Sequence, residues 1–218
     1  MFIYSLSGLQ LTESGAPEAV EIEDNETTAR TAVYQTLGRM FLPPDDECWE
    51  LAADGRWAKE LDAAGTLLTF PFDPGEQPVP DGDRAVLDAE YERLFSEAIQ
   101  AGAWFDDTVK THDEVVRFYE YFGLKTGEDA RPVDHVVTEC DFMQYLTYKE
   151  AAAPSDRLRG SYRRAQLDFV GRHLSVWLPR MHEHVAACAP TPFYAWATSA
   201  LTGFVAADHE YVTALVGG

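Results

Sequence analysis

The sequence predicts an all-α fold, a single-domain bundle of about nine or ten helices. Three observations predict it. Apolar residues recur three and four positions apart along most of the chain, which is the period of a helix with one buried face. Stretches rich in proline and glycine interrupt this pattern at short intervals. No alternating pattern of convincing strand length follows residue 22.

One domain is expected over most of the chain. A protein of 218 residues can bury about 70% of its unfolded surface and needs neither disulfides nor a metal to hold its core. We expect the helices to cover residues 25–218. Residues 1–24 show a short apolar alternation followed by Pro17 and acidic residues, and they are predicted to be a poorly ordered tail or a short strand.

The predicted helices lie on both sides of a loop near residues 124–133, which we expect to act as a hinge. Capping residues and breakers define their ends. Before the hinge they cover approximately 25–41, 45–55, 57–68, 83–98 and 111–122. After the hinge they cover approximately 134–153, 157–178, 181–188 and 192–211.

Several helix ends carry a local signal. Thr111 and Glu114 have the spacing of a capping box, in which each side chain accepts from the other residue's backbone N–H. Gly123 suits the left-handed backbone that ends a helix, and Asp134 is expected to cap the helix after the hinge. Pro179 is expected to kink the helix that contains it, or to split it in two.

Two stretches between the predicted helices are unusual. Residues 69–82 are rich in proline and are expected to be a connector without regular structure. Gly102-Ala103-Trp104-Phe105 is an apolar loop, although loops are normally polar.

The chain is strongly acidic, with 37 Asp and Glu residues, 17 Lys and Arg residues and a formal net charge of −20. Nucleic-acid binding requires basic patches, so this composition argues against it. A solvated acidic coat of the kind found in halophiles is one interpretation, because net charge keeps a protein in solution. The alternative is an acidic patch that attracts a basic partner.

The sequence also bears on compartment and cofactors. No apolar run approaches the ~18 residues of a membrane helix, and the first residues lack the basic start and apolar core of a signal peptide. Cys48, Cys140 and Cys188 are few and widely spaced, as expected of reduced structural thiols. Because glycine-rich phosphate loops are absent too, we expect a cytoplasmic protein without bound cofactor or metal and without membrane insertion.

Several short motifs occur in a fixed order. They are Glu90-Tyr91-x-x-Leu94-Phe95, Tyr119-x-x-x-Gly123-Leu124, Pro132-x-Asp134-His135 with Glu139-x-x-Phe142-Met143, Phe169-x-x-x-His173-Leu174-x-x-Trp177 and Pro192-Phe193-Tyr194. Together, over about residues 27–212, they resemble the pattern of the TorD/DmsD-type chaperones, which are related to the NarJ-type chaperones. The chain departs from that pattern at residues 102–109 and at Cys140, where the family tends to leucine.

This resemblance implies an all-helical protein that binds another protein and performs no catalysis. Members of the family assist the maturation of molybdopterin-dependent oxidoreductases of the DMSO and TMAO reductase type. They bind the twin-arginine signal peptide of the catalytic subunit, or its apoprotein, and delay export until the cofactor is inserted. The resemblance also implies a monomer or a helix-swapped dimer.

Candidate peptide-binding residues follow from the same resemblance. The apolar middle of a leader needs aromatic and aliphatic side chains, and its arginines need acceptors such as the Asp134 carboxylate. The candidates are Tyr91, Leu94, Phe95, Trp104, Phe105, Tyr119, Pro132, Asp134 and His135.

The same residues also have purely structural interpretations. Asp134 is a good helix cap whether or not it contacts a ligand. His135 beside it can bond a neighbouring carbonyl. The apolar residues of the segment 91–95 have the helical spacing that is typical of a buried face.

Two other functions are compatible with the sequence. The first is an assembly clamp for a nitrate reductase-like enzyme that does not read a leader, as NarJ-type chaperones are thought to act. The second is a metal-dependent hydrolase, because His135 and Glu139 are four residues apart and can share one helix face. No further metal ligand is evident from the sequence.

Overall fold

The computed structural model describes residues 9–11, 26–96, 98–126 and 131–218, and within them the chain is an all-α bundle, as predicted. A short 3-10 turn lies at Ala101–Ala103. The helices of the described residues are α1 (Glu26–Arg39), α2 (Asp46–Ala53), α3 (Arg56–Gly65), α4 (Arg84–Phe95), α5 (Thr108–Tyr121), α6 (Val136–Ala151), α7 (Asp156–Arg172), α8 (Leu174–Ala187) and α9 (Pro192–Gly217).

A small antiparallel sheet joins the start of the chain to the end of α5. β1 (Leu9–Leu11) pairs with β2 (Leu124–Thr126). The predicted loop near 124–133 is therefore wrong at its first three residues, because their backbone groups pair with a segment more than a hundred positions away. Of the tail predicted over 1–24, residues 9–11 form the alternative short strand. The rest of that tail, and residues 127–130 of the hinge, lie outside the described residues.

The centre of the bundle is α6. Nearly all of its residues are buried, and it packs most extensively against α1 and then α7. The α1 and α6 backbones approach closely at Gly38, where an added Cβ would lie 2.9 Å from the Cβ of Cys140. Glycine at this position therefore sets the distance between the two central helices.

A buried ionic network connects four helices. The Arg30 guanidinium in α1 is fully buried and forms ion pairs with Asp208 of α9 and, at 3.2 Å, with Glu150 of α6. It also donates to Gln166 Oε1 of α7 at 2.5 Å, and the Tyr34 hydroxyl donates to Asp208 at 2.7 Å. The removal of one member would leave a buried charge unpaired, so each contact of this network stabilises the packing of the four helices.

The proline-rich connector over residues 69–82, which the structure describes throughout, contains no helix or strand, as predicted. It lies against α9. The indole of Trp196 donates to the Pro74 carbonyl at 2.6 Å, and the Phe72 ring packs edge-on against Phe204 with centroids 5.0 Å apart. The connector is therefore a packed part of the core surface.

Most predicted helix ends are confirmed. Asp45 caps α2, Asp83 caps α4, and Gly123 has the predicted left-handed backbone at φ 68°. The predicted Thr111 cap is wrong. Asp107 caps α5 by accepting from the Lys110 N–H at 2.9 Å, while Thr111 lies one turn inside the helix. Both residue types suit a cap, and Asp107 is the one whose side chain accepts from a backbone N–H of the first turn.

The predicted split at Pro179 is wrong, and the alternative, a kink there, stays a prediction. The chain turns between α7 and α8 at His173, and α8 continues through Pro179. Proline removes one backbone bond and its ring crowds the carbonyl four positions earlier, at Ser175. Because α8 begins at Leu174, the Ser175 carbonyl lies in the first turn of the helix. No earlier turn of α8 restricts how this carbonyl adjusts to the proline ring.

The three cysteines lie at different depths in the bundle. Cys48 and Cys140 are buried, Cys188 is half-buried, and all three are free thiols. Burial raises the pKa of Cys48 to about 11 and also raises that of Cys140, so neither is a reactive thiolate at neutral pH.

Among the described residues, no helix combines the length and apolarity that a membrane span requires.

Candidate functional site

An open groove of about 1450 Å³ lies between α5 and α7, and α9 contributes two residues to its lining. We call it the α5–α7 groove. It is larger than the usual pocket for a small molecule, about 300–1,000 Å³, and it is open to solvent. Its apolar lining includes Val109, Phe118, Tyr121, Phe122, Leu158 and Tyr162.

The rim of this groove exposes apolar side chains to water. Tyr121 is 83% exposed and Val109 is 72% exposed, both on α5, and Leu158 on α7 is 39% exposed. Apolar surface gathered around a groove marks an interaction site, whereas single exposed apolar residues do not. Tyrosine in particular supplies much of the binding energy at protein interfaces.

The exposed rim is anchored to the core by packed aromatic rings. Phe122 stacks on Tyr162 across the two helices, with centroids 5.9 Å apart. Phe118 packs edge-on against Phe169 at 5.2 Å, and Phe169 packs in turn against Phe142 of α6 at 4.8 Å. Because these side chains are already held by packing, a bound segment would lose less free energy in ordering them.

His173 lies behind this aromatic wall. Its ring packs against Phe118 and Phe169 at 5.7 and 4.9 Å, and neither ring nitrogen has a hydrogen-bond partner among the described residues. Burial lowers the pKa of His173 to about 4, although the nearby Glu114 carboxylate opposes this shift. The ring is therefore uncharged at neutral pH and supports the groove as an apolar group.

The predicted binding residues of α4 lie in the core. Tyr91, Leu94 and Phe95 are 7%, 3% and 1% exposed. The Tyr91 hydroxyl donates to the Phe41 carbonyl at 3.2 Å, and burial raises its pKa to about 12. This burial agrees with the interpretation of Tyr91, Leu94 and Phe95 as core residues of α4. Their role in peptide binding stays a prediction, and α4 would have to move for a peptide to reach them.

The apolar loop is packed against the side of the bundle, outside the α5–α7 groove. Trp104 and Phe105 are both half-buried. The Trp104 indole donates to the Ala98 carbonyl at 3.0 Å, and the Trp104 carbonyl accepts from Arg180 at 2.5 Å. These bonds hold the loop that leads into the N-terminus of α5, and thus position one end of the groove.

Asp134 does not cap α6, so that prediction is wrong. Its Oδ2 accepts from the Gly102 N–H at 2.8 Å, and its backbone carbonyl accepts from the Ala101 N–H at 2.8 Å. The turn at Ala101–Ala103 presents these two amides to it, and a charged acceptor for a half-buried amide is a stronger bond than an exposed cap. A Cβ at Gly102 would lie 2.9 Å from Oδ2, so only glycine allows this approach. We call the contact the Asp134 clamp.

His135 is the actual cap of α6. Its Nδ1 accepts from the Val137 N–H at 3.1 Å, and burial lowers the pKa of His135 to about 3, which preserves the uncharged acceptor. Tyr119 is also buried, and its hydroxyl donates to the Val133 carbonyl at 2.8 Å. Of the candidate binding residues Pro132, Asp134 and His135, the last two are buried and Pro132 is exposed.

The residues proposed for a metal-dependent hydrolase have other partners. Glu139 is fully buried, its Oε2 accepts from the Trp177 indole at 3.0 Å, and burial raises its pKa well above the usual range. One ring nitrogen of His135 is occupied by the α6 cap. Within the described ranges, no three His, Cys, Asp or Glu residues are grouped to hold a metal ion. The structure thus offers this interpretation no support.

The exposed rim of the groove was not predicted from the sequence. Tyr121 is two positions after Tyr119, so the two side chains point to opposite faces of α5. Tyr119 faces the core, whereas Tyr121 faces water. The sequence did contain a signal for Tyr121, because an aromatic residue on the polar face of an amphipathic helix is typical of a binding surface.

The fold and the groove define an all-helical bundle that exposes aromatic side chains between two of its helices. The chain belongs to the nitrate reductase delta subunit family, whose sequence profile it matches over residues 56–183. This match extends from α3 into α8 and includes both helices of the groove. The resemblance to TorD/DmsD-type, NarJ-related chaperones is confirmed at the level of the family.

Three relatives are similar to this chain. The perchlorate reductase assembly chaperone protein of Dechloromonas aromatica is 30% identical over 198 residues, covering 81% of this chain and 87% of the relative. The chlorate reductase assembly chaperone protein of Ideonella dechloratans is 39% identical over 174 residues, covering 75% and 80%. The selenate reductase assembly chaperone protein of Thauera selenatis is 43% identical over 76 residues, covering 34% of this chain and 39% of the relative.

Proposed function

We propose that this protein is a cytoplasmic assembly chaperone for a molybdopterin-dependent reductase, and that it holds the immature catalytic subunit by a segment bound in the α5–α7 groove. The observation that carries the proposal is the exposed aromatic rim, where Tyr121 is 83% exposed above a packed aromatic floor. The family supports it, since the relatives are named for the assembly of perchlorate, chlorate and selenate reductases.

Physical chemistry explains why such a groove suits a chaperone. A catalytic subunit that lacks its cofactor exposes apolar segments that are buried in the mature enzyme. Burial of apolar surface contributes about 25 cal/mol per Å², and the ordering of both chains offsets much of it. The resulting affinity is moderate, so the client is released when its own folding buries the segment more completely.

The twin-arginine leader of the client is the second candidate for the bound segment. Its apolar middle suits the aromatic rim, and its basic start suits a chain with a net charge of −20. A clamp that binds the mature part of the apoprotein needs no leader. A client whose leader has been deleted distinguishes the two, because it requires the chaperone only if the mature part is bound.

The test is the molybdenum content and activity of the reductase in cells that lack this gene. We expect an inactive, cofactor-deficient reductase that is restored by the wild-type gene and not by Tyr121→Ala. Val79→Ala is the matched control, because Val79 is 62% exposed but lies outside the groove. Full reductase activity without the gene would contradict the chaperone function. Full restoration by Tyr121→Ala would exclude the groove as the binding site.

A further inference from the structure

We infer that Arg172 is an ionic strap across the α5–α7 groove, which holds α5 against α7 and whose release lets α5 move outward and admit the client segment. The bonds of Arg172 with Glu114 and Asp168 are called the Arg172 strap. The strap is defined by contacts between the two walls of the groove, whereas the identity of the segment that enters rests on the proposed function. Arg172 acts as a positioning residue and needs no contact with the client.

The helix that the strap holds, α5, is a peripheral one. Only Thr111, Val115 and Tyr119 of its fourteen residues are buried, whereas thirteen of the sixteen residues of α6 are buried. Its two ends are attached, since Asp107 caps the first turn and the strand pair follows the last one. Between its ends few residues are enclosed by the bundle, and a segment of this kind is the part of a protein that opens most readily.

Side chains at successive turns of α5 hold it to α7 across the groove. Glu114 forms an ion pair with Arg172 at 2.9 Å. Phe118 and Phe122, one and two turns later, make the aromatic contacts with α7 that are described above. Salt screens an exposed ion pair, whereas it leaves the packing of apolar rings in place. The contact at Glu114 is therefore the one that a change in charge or in salt concentration can release separately.

The Arg172 guanidinium is oriented for this role by its own helix. Its Nε pairs with Asp168 of α7 at 2.9 Å, while its Nη1 pairs with Glu114 of α5 at the same distance. The bond from Arg172 lowers the pKa of Glu114, and Lys110, one turn earlier on α5, acts in the same direction, so this carboxylate is charged at neutral pH. Because the Arg172 side chain is 55% exposed, water competes for the strap and its strength is modest.

A buried group next to the strap favours release. His173 follows Arg172 directly, is 1% exposed, and has no hydrogen-bond partner for either ring nitrogen among the described residues. Phe118 of α5 covers it, with the ring centroids 5.7 Å apart. A buried polar group without a partner costs free energy, and an outward movement of α5 would give these nitrogens access to water or to the backbone of a bound segment. The strap thus holds the groove closed against a group that favours opening.

Hydrogen exchange of the full chain, followed by mass spectrometry, tests the strap. A fourteen-residue helix without its neighbours is marginal, so release exposes the amides of α5. Arg172→Gln and Glu114→Gln should each accelerate their exchange by about 1.4- to 5-fold, the range for one exposed ion pair, and the double variant should exchange no faster than either. The matched control is Arg164→Gln, because Arg164 bonds Ser161 of its own helix. Unchanged exchange in Arg172→Gln, or equal acceleration in the control, would overturn the inference.

Two measurements follow the opening by other means. At 1 M salt the screening length is about 3 Å, so α5 of the wild type should exchange as fast as α5 of Arg172→Gln, and exchange that does not depend on salt would contradict the strap. Diethyl pyrocarbonate modifies accessible, uncharged imidazoles. His173 should react faster in Arg172→Gln than in the wild type, while His112, whose side chain is 52% exposed, serves as the internal reference. Equal protection of His173 in both proteins would also overturn the inference.

A labelled, uncharged helical peptide of Leu, Phe, Ala and Gln tests access to the groove. Its affinity in fluorescence anisotropy should rise in Arg172→Gln by the same factor as the exchange of α5, because the open fraction limits binding. Unchanged or weaker binding together with faster exchange would overturn the inference. Tyr121→Ala separates it from the proposed function. If Tyr121→Ala abolishes reductase restoration but Arg172→Gln exchanges like the wild type, only the strap fails. If Tyr121→Ala restores the reductase fully and the peptide binds neither protein, the proposed binding site fails, and exchange alone decides the strap.

Discussion

Replacement of Asp134 by alanine tests whether the hinge motif holds the fold together or contacts the client. The side chain is 5% exposed, and its Oδ2 accepts from the Gly102 N–H at 2.8 Å. Alanine keeps the backbone bond to Ala101 but removes this side-chain acceptor. The Gly102 amide then loses its charged partner within a half-buried turn.

The magnitude follows from that one bond. A hydrogen bond to a charged group contributes about 1.5–3 kcal/mol. For a chain of this length each kcal/mol shifts the melting temperature by about 2–4 °C, so Asp134→Ala should melt about 3–12 °C lower. The additional change His135→Ala removes the α6 cap and should cost a further ~0.5–2 kcal/mol.

Thermal unfolding followed by circular dichroism measures the effect. Asp134→Asn is the matched control, because it keeps an acceptor oxygen in place and should recover much of the loss. Tyr121→Ala should leave the melting temperature unchanged, since its ring is exposed. Well below its melting temperature, Asp134→Ala should still restore the reductase, because Asp134 does not line the groove.

One result would refute this reasoning. If Asp134→Ala melts like the wild type and yet fails to restore the reductase, the carboxylate contacts the client directly. The residue would then be the ligand for arginines that the family resemblance predicts, and the Asp134 clamp would contribute nothing measurable to the fold.

Two further predictions concern the bundle. Gly38→Ala should destabilise the protein by about 1–3 kcal/mol, because the added Cβ would lie 2.9 Å from the Cβ of Cys140 in α6. Gly203→Ala in α9 is the matched control: no atom lies within 4 Å of the added Cβ, so this variant should be more stable by up to about 1 kcal/mol. Equal urea midpoints for the two variants would contradict this prediction. The pKa of His173 is about 4 in the folded chain, below its usual 6.5, so the unfolded chain binds more protons between these values and stability falls as pH decreases through that window. Between pH 7 and pH 5 this group should remove about 2 kcal/mol, and His173→Leu should lose correspondingly less in urea titrations at the two pH values.

Helix positions could be predicted because they depend on local pattern. The caps Asp45 and Asp83 act on amides within three residues, and Gly123 adopts its left-handed backbone beside the helix that it ends. These effects operate over one turn, so the sequence nearby contains the necessary information. The same locality explains why the motifs of the hinge and of α4 were recognisable without a structure.

The errors arose where a distant segment competes for a residue. Asp134 is a sound local cap, but the turn containing Gly102 uses its carboxylate, so His135 becomes the cap instead. The residues after Gly123 form a strand because Leu9–Leu11 lies beside them. Neither outcome can be obtained from spacing along the chain, since both depend on which segments meet in space.

The sequence by itself determined that this protein is a helical bundle, where most helices begin and end, and which family it resembles. The tertiary structure alone decided which apolar residues are covered. Tyr119 and Tyr121 are both aromatic residues of one helix, yet the first is buried beneath α6 and the second stands in water at the α5–α7 groove. The physical reason is that periodicity identifies the apolar face of a helix, whereas only the packing of neighbouring helices determines how much of that face, and which residues beyond it, remain open to a partner.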